Sequence, residues 1–151
     1  MSEFFITSSD FKEGEEIPKK FGYKFENQTP TIELHDVPAG TQDVALIVDD
    51  PDAMKAVGKV WIHWLVLAST DRPTFPNSIP GSFLILFEGK NDFGEIGYGG
   101  PAPPDRRHTY IFKAYALNGI ILNKGFSKQE LEHAMEGHIL AEAKLTGTFT
   151  P

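Results

Sequence analysis

Three carboxylates follow directly on an apolar segment of this 151-residue sequence: Asp49, Asp50 and Asp52 come after the segment that ends at Val48. Pro51 between them has no N–H donor and a fixed φ, so the chain must turn where the carboxylates arrive. Taken alone, such a run is more typical of a capped turn, because Asp-Pro is common turn chemistry.

A histidine lies inside an aromatic segment, where Trp61 and Trp64 flank His63. A buried imidazole must find a hydrogen-bond partner or lose its charge, and a core histidine held by one hydrogen bond is the more frequent outcome. Strand alternation predicts two faces, with Trp61, His63 and Leu65 on one and Ile62, Trp64 and Val66 on the other.

A second histidine precedes a tyrosine by two residues, so a strand there places His108 and Tyr110 on a common face. The preceding loop, residues 98–104, is rich in glycine and proline. Its glycines could offer backbone N–H groups to an anion. A rigid crossover between two sheets is the alternative interpretation of the same loop.

Two imidazoles, a phenol and several carboxylates at strand ends would suit an oxyanion such as phosphate. His and Tyr supply donors, while carboxylates hold the imidazole tautomers. Two His and a carboxylate would also match a zinc or non-haem iron site. The sequence lacks the H-x-E or H-x-x-x-H spacing that favours a metal, so we predict neither metal nor cofactor.

Short apolar segments separated by 14 Gly and 11 Pro indicate a β-rich protein. Strands are predicted at Thr31–Leu34, Asp43–Val48, Val60–Leu67, Ser82–Phe87 and His108–Leu117, with Gly119–Leu122 as a further candidate. The segment Val60–Leu67 is apolar on both faces, which is typical of a central, doubly covered strand.

One helix is predicted near the C-terminus, because Ser127 and Glu130 fit a capping box and apolar residues recur at helical spacing from Leu131 to Ile139. Gly137 weakens this helix and could end it. The prediction is a mainly β, two-sheet antiparallel sandwich with a C-terminal helix, forming a single domain over residues 1–151. Periodicity alone does not separate a sandwich from a closed barrel, and we favour the sandwich.

Composition excludes several classes of function. The 21 Asp and Glu outnumber the 14 Lys and Arg, giving a net charge of −7, so nucleic acid is a poor partner. With no Cys, disulfides and thiolate chemistry are excluded. No apolar segment approaches the ~20 residues that span a bilayer, so we expect no stable membrane insertion and a cytoplasmic location.

The ordered motifs resemble the phosphatidylethanolamine-binding proteins, and within them the bacterial and archaeal Raf kinase inhibitor-like branch. The motifs that carry the resemblance are Asp50-Pro51-Asp52-Ala53, His63-Trp64-Leu65, Tyr98-x-Gly100-Pro101-x-Pro103-Pro104 and His108-x-Tyr110, and the C-terminal segments 137–141 and 145–149. The resemblance covers the whole chain.

The resemblance implies a β-sandwich with a small anion-binding pocket at one end. It assigns Asp50 and His63 to the base of the pocket, Gly100 and Pro101 to a backbone rim, His108 and Tyr110 to the far wall, and Asp52 to bracing the Asp-Pro-Asp turn. Because a carboxylate repels a dianion, Asp50 should orient His63 or be protonated.

Three positions depart from the family pattern. Met54 replaces a usual Pro, residues 105–107 (Asp-Arg-Arg) replace a loop that often carries Gly, and Thr109 replaces a usual Arg. The two arginines are expected to face solvent.

The resemblance favours a regulatory or inhibitory binding protein for a phosphate-like anion, acting on a serine protease or kinase, and a homodimer is expected. The rigid, Pro-containing loop Thr70–Gly81 is a candidate docking surface, and a simple connector is the alternative interpretation, which we slightly favour. The alternative is a hydrolase of a phosphorylated or acyl substrate with His63 or His108 as general base. A structural interaction domain, in which neither His matters, is a third hypothesis.

Overall fold

The computed structural model describes residues 3–69, 78–79 and 85–151. Its strands are β1 (Phe5–Thr7), β2 (Ile32–His35), β3 (Asp43–Asp50), β4 (Trp61–Ser69), β5 (Ser78–Ile79), β6 (Ile85–Glu88), β7 (His108–Leu117) and β8 (Ile139–Phe149). Its helices are α1 (Ala53–Val57), α2 (Lys128–Met135) and a 3-10 turn at Lys19–Phe21.

The strands form two antiparallel sheets, ordered β1-β2-β5 and β6-β4-β3-β7-β8. The main hydrophobic core lies between the sheets and includes Ile32, Trp64, Phe112 and Phe149. A second cluster on the other face of the five-stranded sheet includes Ile47, Leu65, Phe126, Leu131 and Met135, so α2 covers that face. The two-sheet sandwich predicted from the sequence is confirmed.

The strands β3 and β4 are covered on both faces, which explains their nearly continuous apolar sequences. Where the pattern was strongest the prediction was right, since β3, β4 and β7 lie within about two residues of their expected bounds. The predicted strand Ser82–Phe87 corresponds to β6, and its first three residues lie outside the described residues.

The predicted helix begins as expected and ends early. Ser127 Oγ accepts the Glu130 N–H, and the Glu130 carboxylate accepts the Ser127 N–H. The helix stops at Met135, and Gly137 follows with a φ of +78°, a conformation that glycine adopts without strain. Ile139, assigned by its spacing to the helix, instead begins β8.

The sequence did not predict strand β8, because its alternation of apolar and polar residues is weak. Its inward residues include Ala143 and Gly147, which are too small to give a clear apolar signal, and its outward residues include Glu142 and Lys144. Ala, Glu and Lys are not typical strand formers. The candidate strand Gly119–Leu122 was wrong, because that segment forms no strand.

The predicted faces of β4 need a correction at His63. Val48 pairs with Trp64 whereas Asp49 pairs with Ile62, so His63 is an extra residue in the ladder. This β-bulge shifts the alternation, and Ile62 packs with Leu65 on the α2 side instead of sharing a face with Trp64.

Candidate functional site

The last residues of β3 continue the regular alternation of that strand between the two faces of the sheet. Asp49 points to the α2 side of the sheet, where its Oδ2 accepts a hydrogen bond from Lys113 Nζ at 2.9 Å. Asp50 points to the opposite side and is buried at the end of the sheet. Strand alternation therefore separates two adjacent carboxylates, and of these two only Asp50 reaches the candidate site.

Asp50 borders a cavity of about 250 Å³ at the end of the five-stranded sheet. The cavity is lined by Tyr23, Lys24, Asp50, Ala53, Ala56, Val57, Trp61, His63, Phe93, Ala102, Pro104 and His108. One apolar wall comes from α1. Another comes from Tyr23 and Phe93, whose rings stack with centroids 3.7 Å apart. The cavity is thus mostly apolar with a few polar groups, as ligand sites commonly are.

His63 is hydrogen-bonded to the loop that contains Gly99. Its Nδ1 lies 2.7 Å from the Gly99 carbonyl oxygen, and the Gly99 N–H donates to the His63 carbonyl. Because a carbonyl only accepts, Nδ1 must carry the hydrogen. Burial lowers the pKa of His63, so the neutral ring is favoured and Nε2 carries a lone pair.

The charged form of His108 is favoured, in contrast to the neutral form of His63. Its Nδ1 lies 2.7 Å from Asp50 Oδ2 and its Nε2 lies 2.7 Å from Asp105 Oδ1. Burial by itself would lower its pKa, but the hydrogen bonds and charges of the two carboxylates outweigh burial and raise the pKa of His108. Both ring nitrogens can donate only if the ring is an imidazolium.

These contacts correct one expectation, because Asp50 hydrogen-bonds to His108 and not to His63. Its charge acts on His63 only over a longer range, where it works against the effect of burial. The structure therefore links the Asp-Pro-Asp turn to the start of β7.

Asp52 strengthens the same link. Its Oδ2 accepts the Thr109 N–H at 2.9 Å, and its Oδ1 lies 3.7 Å from Arg106 Nη2. Asp52 makes no side-chain cap for α1, so its carboxylate braces the start of β7 more than its own turn.

Tyr110 lies on the face of β7 that carries His108, as alternation predicted, and its ring also packs edge-on against His63. Burial, with the nearby charge of Asp50, raises the pKa of Tyr110, so its hydroxyl stays protonated. Four side-chain atoms of the described residues are buried without a hydrogen-bond partner of good geometry, and three of them lie at this site: the Tyr110 hydroxyl, Asp50 Oδ1 and Trp61 Nε1. Such atoms are rare in native proteins, and a bound polar group or water would satisfy them.

The backbone groups of Gly100 and Pro101, which were expected to form a rim for the ligand, are hydrogen-bonded within the protein. The Gly100 N–H donates to Asn27 Oδ1 at 2.8 Å, and the Pro101 carbonyl accepts the Tyr23 N–H at 3.0 Å. A Cβ on Gly100 would lie 1.9 Å from the Phe21 carbonyl oxygen. Glycine is required there for packing against the protein's own backbone, and the Gly100 amide is engaged within the protein in this conformation.

Sequence reasoning missed part of the cavity. Tyr23 lies far from every motif, Phe93 precedes the motif that begins at Tyr98, and nothing in the local sequence marks either as a cavity residue. Asp105 was noted only as a departure from a family pattern, although its spacing of three residues from His108 could have suggested a contact. Arg106 is about half exposed and lies near Asp52 and Asp105.

Within residues 3–69, 78–79 and 85–151 no three His, Asp or Glu side chains are arranged so that together they could hold a metal ion. In the same residues no helix is long and apolar enough to cross a membrane.

Comparison with known proteins places this architecture in a family. The family model for the phosphatidylethanolamine-binding proteins matches residues 7–150. A UPF0098 protein of Chlamydia muridarum is 41% identical over 147 residues, covering 95% of this chain and 97% of the relative. A UPF0098 protein of Methanothermobacter thermautotrophicus is 38% identical over 144 residues, covering 92% of this chain and 93% of the relative.

Solved structures agree with the sequence comparisons. A putative phosphatidylethanolamine-binding protein homologue, CT736 of Chlamydia trachomatis, superimposes with a TM-score of 0.85 at 36% identity, covering 98% of this chain and 97% of that one. YbcL of E. coli, described as a member of the mammalian family, superimposes with a TM-score of 0.83 at 29% identity and covers 98% of each chain.

Proposed function

Because this chain belongs to the phosphatidylethanolamine-binding protein family, we propose that it is a regulatory binding protein whose cavity holds a small phosphate-like group. The observation that carries the proposal is the set of three buried, unpartnered polar atoms on Asp50, Trp61 and Tyr110. Asp50 and Trp61 line the cavity, and Tyr110 packs against His63, which also lines it.

The protonation states favour a ligand that both accepts and donates hydrogen bonds. The Tyr110 hydroxyl and the Trp61 indole can donate, whereas Asp50 Oδ1 and the lone pair on His63 Nε2 can accept. A phosphate monoester with one remaining acidic hydrogen fits this set. A dianion fits less well, because the Asp50 carboxylate would repel it.

The rest of the cavity supports an organic ligand over inorganic phosphate alone. Ala53, Ala56, Val57 and Phe93 provide apolar surface beside the polar atoms. Apolar surface stabilises a bound organic group in proportion to the area removed from water. A phosphorylated head group would therefore use both parts of the site.

A protein partner is part of the proposal, with a serine protease or a kinase as the class to test. The support is the exposed apolar rim formed by Met54 and Val57 on α1, which are 52% and 50% exposed. Residues 70–77 and 80–81 of the candidate docking loop lie outside the described residues. We place the regulatory interaction at the rim and in the cytoplasm.

The hydrolase alternative has less support. His63 could act as a general base, yet no Ser or Thr is among the described residues that line the cavity, so no serine or threonine nucleophile is placed there for it to activate. We therefore propose binding without turnover.

We assign the expected homodimer to the outer edge of β8. Residues 13–17 cover one half of this edge, where Gly14 N donates to Thr146 O and Ile17 N donates to Thr148 O. In a strand the backbone N–H and C=O groups of every second residue face the same edge, so those of Glu142 and Lys144 face the same side as those of Thr146 and Thr148. No described residue forms backbone hydrogen bonds with Glu142 or Lys144 on that side.

A second copy lying antiparallel to β8, with the twofold axis at Ala143, would place Glu142 of each copy opposite Lys144 of the other. Both side chains are exposed, and opposite charges directly across a strand pair are stabilising. The register is therefore self-complementary.

The test of ligand binding is a titration of isotope-labelled protein with inorganic phosphate and with phosphorylethanolamine, followed by NMR. The chain has two tryptophans, and the Trp64 indole N–H already donates to Glu88 Oε2 at 2.7 Å. We expect saturable shifts of the Trp61 indole and the His63 ring, with the Trp64 indole as internal control. Absence of shifts at Trp61, His63 and Tyr110 with both ligands would reject the binding proposal.

A further inference from the structure

Asp105 is hydrogen-bonded to Nε2 of His108, the ring nitrogen that Asp50 does not contact. Asp105 Oδ1 lies 2.7 Å from His108 Nε2, while Asp50 Oδ2 holds Nδ1 at the same distance. The His108 side chain is fully buried and lines the cavity. Asp105 is 42% exposed and lies in the loop just before β7.

The two carboxylates are held differently. Asp50 belongs to β3 and is buried at the end of the sheet, so its position is fixed by the fold. Asp105 belongs to an irregular segment, and its second carboxylate oxygen lies 3.9 Å from the half-exposed guanidinium of Arg106. Ion pairs between exposed groups contribute little, with a median of about 0–1 kcal/mol. Asp105 is therefore the partner that can leave.

A carboxylate is itself an oxyanion and uses the same N–H donor that a phosphate oxygen would use. We propose that Asp105 is a built-in competitor, which occupies His108 Nε2 in the free protein and is displaced when an oxyanion binds in the cavity. This inference rests on the proposed binding function and adds a residue that sets its affinity and its selectivity for charge.

Two effects of Asp105 act in the same direction. Its carboxylate fills the hydrogen-bonding position on Nε2, and its charge offsets the positive charge of the His108 ring that an anion would meet. With Asp50 and Asp105 both present, the imidazolium faces two negative charges. Ligands with low negative charge are favoured, and highly charged anions are excluded.

A purely structural role for Asp105 predicts the opposite change in anion affinity when Asp105 is replaced. If Asp105 only helped to keep His108 charged and in place, its loss would weaken anion binding. The sign of the change in affinity therefore separates a competitor from a supporting residue.

The experiment compares the wild type with Asp105→Ser, which vacates Nε2, and Asp105→Asn, which keeps an acceptor there but removes the charge. Glu26→Gln is the control, because Glu26 is an exposed carboxylate on another loop. Dissociation constants for inorganic phosphate and phosphorylethanolamine are measured from His63 shifts at about pH 5.5, where the histidine beside Asp50 stays charged.

We expect Asp105→Ser to bind phosphate roughly tenfold more tightly than the wild type, Asp105→Asn to lie between them, and Glu26→Gln to match the wild type. In the wild type the Asp105 backbone amide should shift on saturation, since its side chain leaves His108.

Wild-type binding with equal or weaker affinity in both Asp105 variants would overturn the inference and leave the proposed function standing. Folded proteins that all fail to bind would overturn both. If Asp105→Ser does not fold, the charge effect is decided by Asp105→Asn, which must still bind more tightly than the wild type.

Discussion

Asp50 Oδ2 and His108 Nδ1 lie 2.7 Å apart and join the end of β3 to the start of β7. The same junction is closed a second time by Asp52, which accepts the Thr109 N–H. The Asp-Pro-Asp turn and the His-x-Tyr segment thus form one structural unit beside the cavity, joined by hydrogen bonds between residues 58 and 57 positions apart in the sequence. Substitutions in either segment are expected to affect both.

The two cavity histidines should titrate on opposite sides of the ordinary value of 6.5. Burial lowers the pKa of His63, whereas the carboxylates of Asp50 and Asp105 raise the pKa of His108 against the effect of burial. A side-chain NMR titration in ligand-free buffer checks this directly. Equal pKa values, or the reverse order, would contradict the proposed protonation states.

Stability should depend on pH through His108. Its pKa is raised in the folded protein, so its stabilising contribution is fully present below 6.5 and is lost as the pH rises through the folded pKa. We expect His108→Gln to cost about 3 kcal/mol near pH 6, because the buried Asp50 loses its cationic partner, and less near pH 9. Denaturant unfolding at both pH values measures the difference. His133→Gln is the control, since the His133 side chain is 87% exposed, and a cost for His108→Gln that does not vary with pH would refute the linkage.

Gly100→Ala should destabilise the fold by about 2 kcal/mol or more, because the new methyl group would overlap the Phe21 carbonyl and force the backbone apart. Gly58→Ala is the matched comparison. Gly58 has a φ of +80° and no atom within 4 Å of the added Cβ, so only the left-handed conformation costs energy, about 1 kcal/mol. Thermal unfolding of both variants tests the ranking. A smaller cost at Gly100 would show that residues 21 and 22 can move away.

Charge exchange tests the proposed homodimer. Glu142→Lys alone puts lysine opposite lysine across the twofold axis, and Lys144→Glu alone puts glutamate opposite glutamate. Each should weaken self-association about tenfold, and the double variant should restore it. The two single variants should also associate with each other more tightly than with themselves. Sedimentation equilibrium measures all four cases, and association that ignores these charges would place the interface elsewhere.

The sequence predicted the central part of the sheet well, because β3 and β4 are buried on both faces, β7 is buried on one face, and all three are largely apolar in sequence. It failed at β8, where two of the inward positions are alanine and glycine and the outward Glu142 and Lys144 are not typical of a strand. Local pattern also failed at His63, since a bulge in β4 is a property of strand pairing that one strand's alternation does not reveal.

The motif residues of the site were predictable and their partners were not. Asp50, His63 and His108 line one cavity, yet the sequence did not show that Asp50 contacts His108 and not His63. The glycines of residues 98–100 indicated close approach of the backbone, but the sequence could not say that Gly100 approaches Phe21. Tyr23 and Phe93 reach the cavity from remote loops, so only tertiary structure brings them there.

The part of β8 that faces residues 13–17 is shielded by side chains as well as backbone. Glu13 accepts hydrogen bonds from the Thr146 N–H and hydroxyl, and Glu16 accepts from the Thr148 hydroxyl and the Thr150 N–H. Slight burial works to raise the pKa of Glu16, but these hydrogen bonds prevail and lower it, so the shield persists into moderate acid. Strong acid would protonate Glu16 and remove its part of this side-chain shield, so that backbone pairing protects more of the edge. Resistance of this strand edge to pairing with other chains therefore depends in part on a charged side chain.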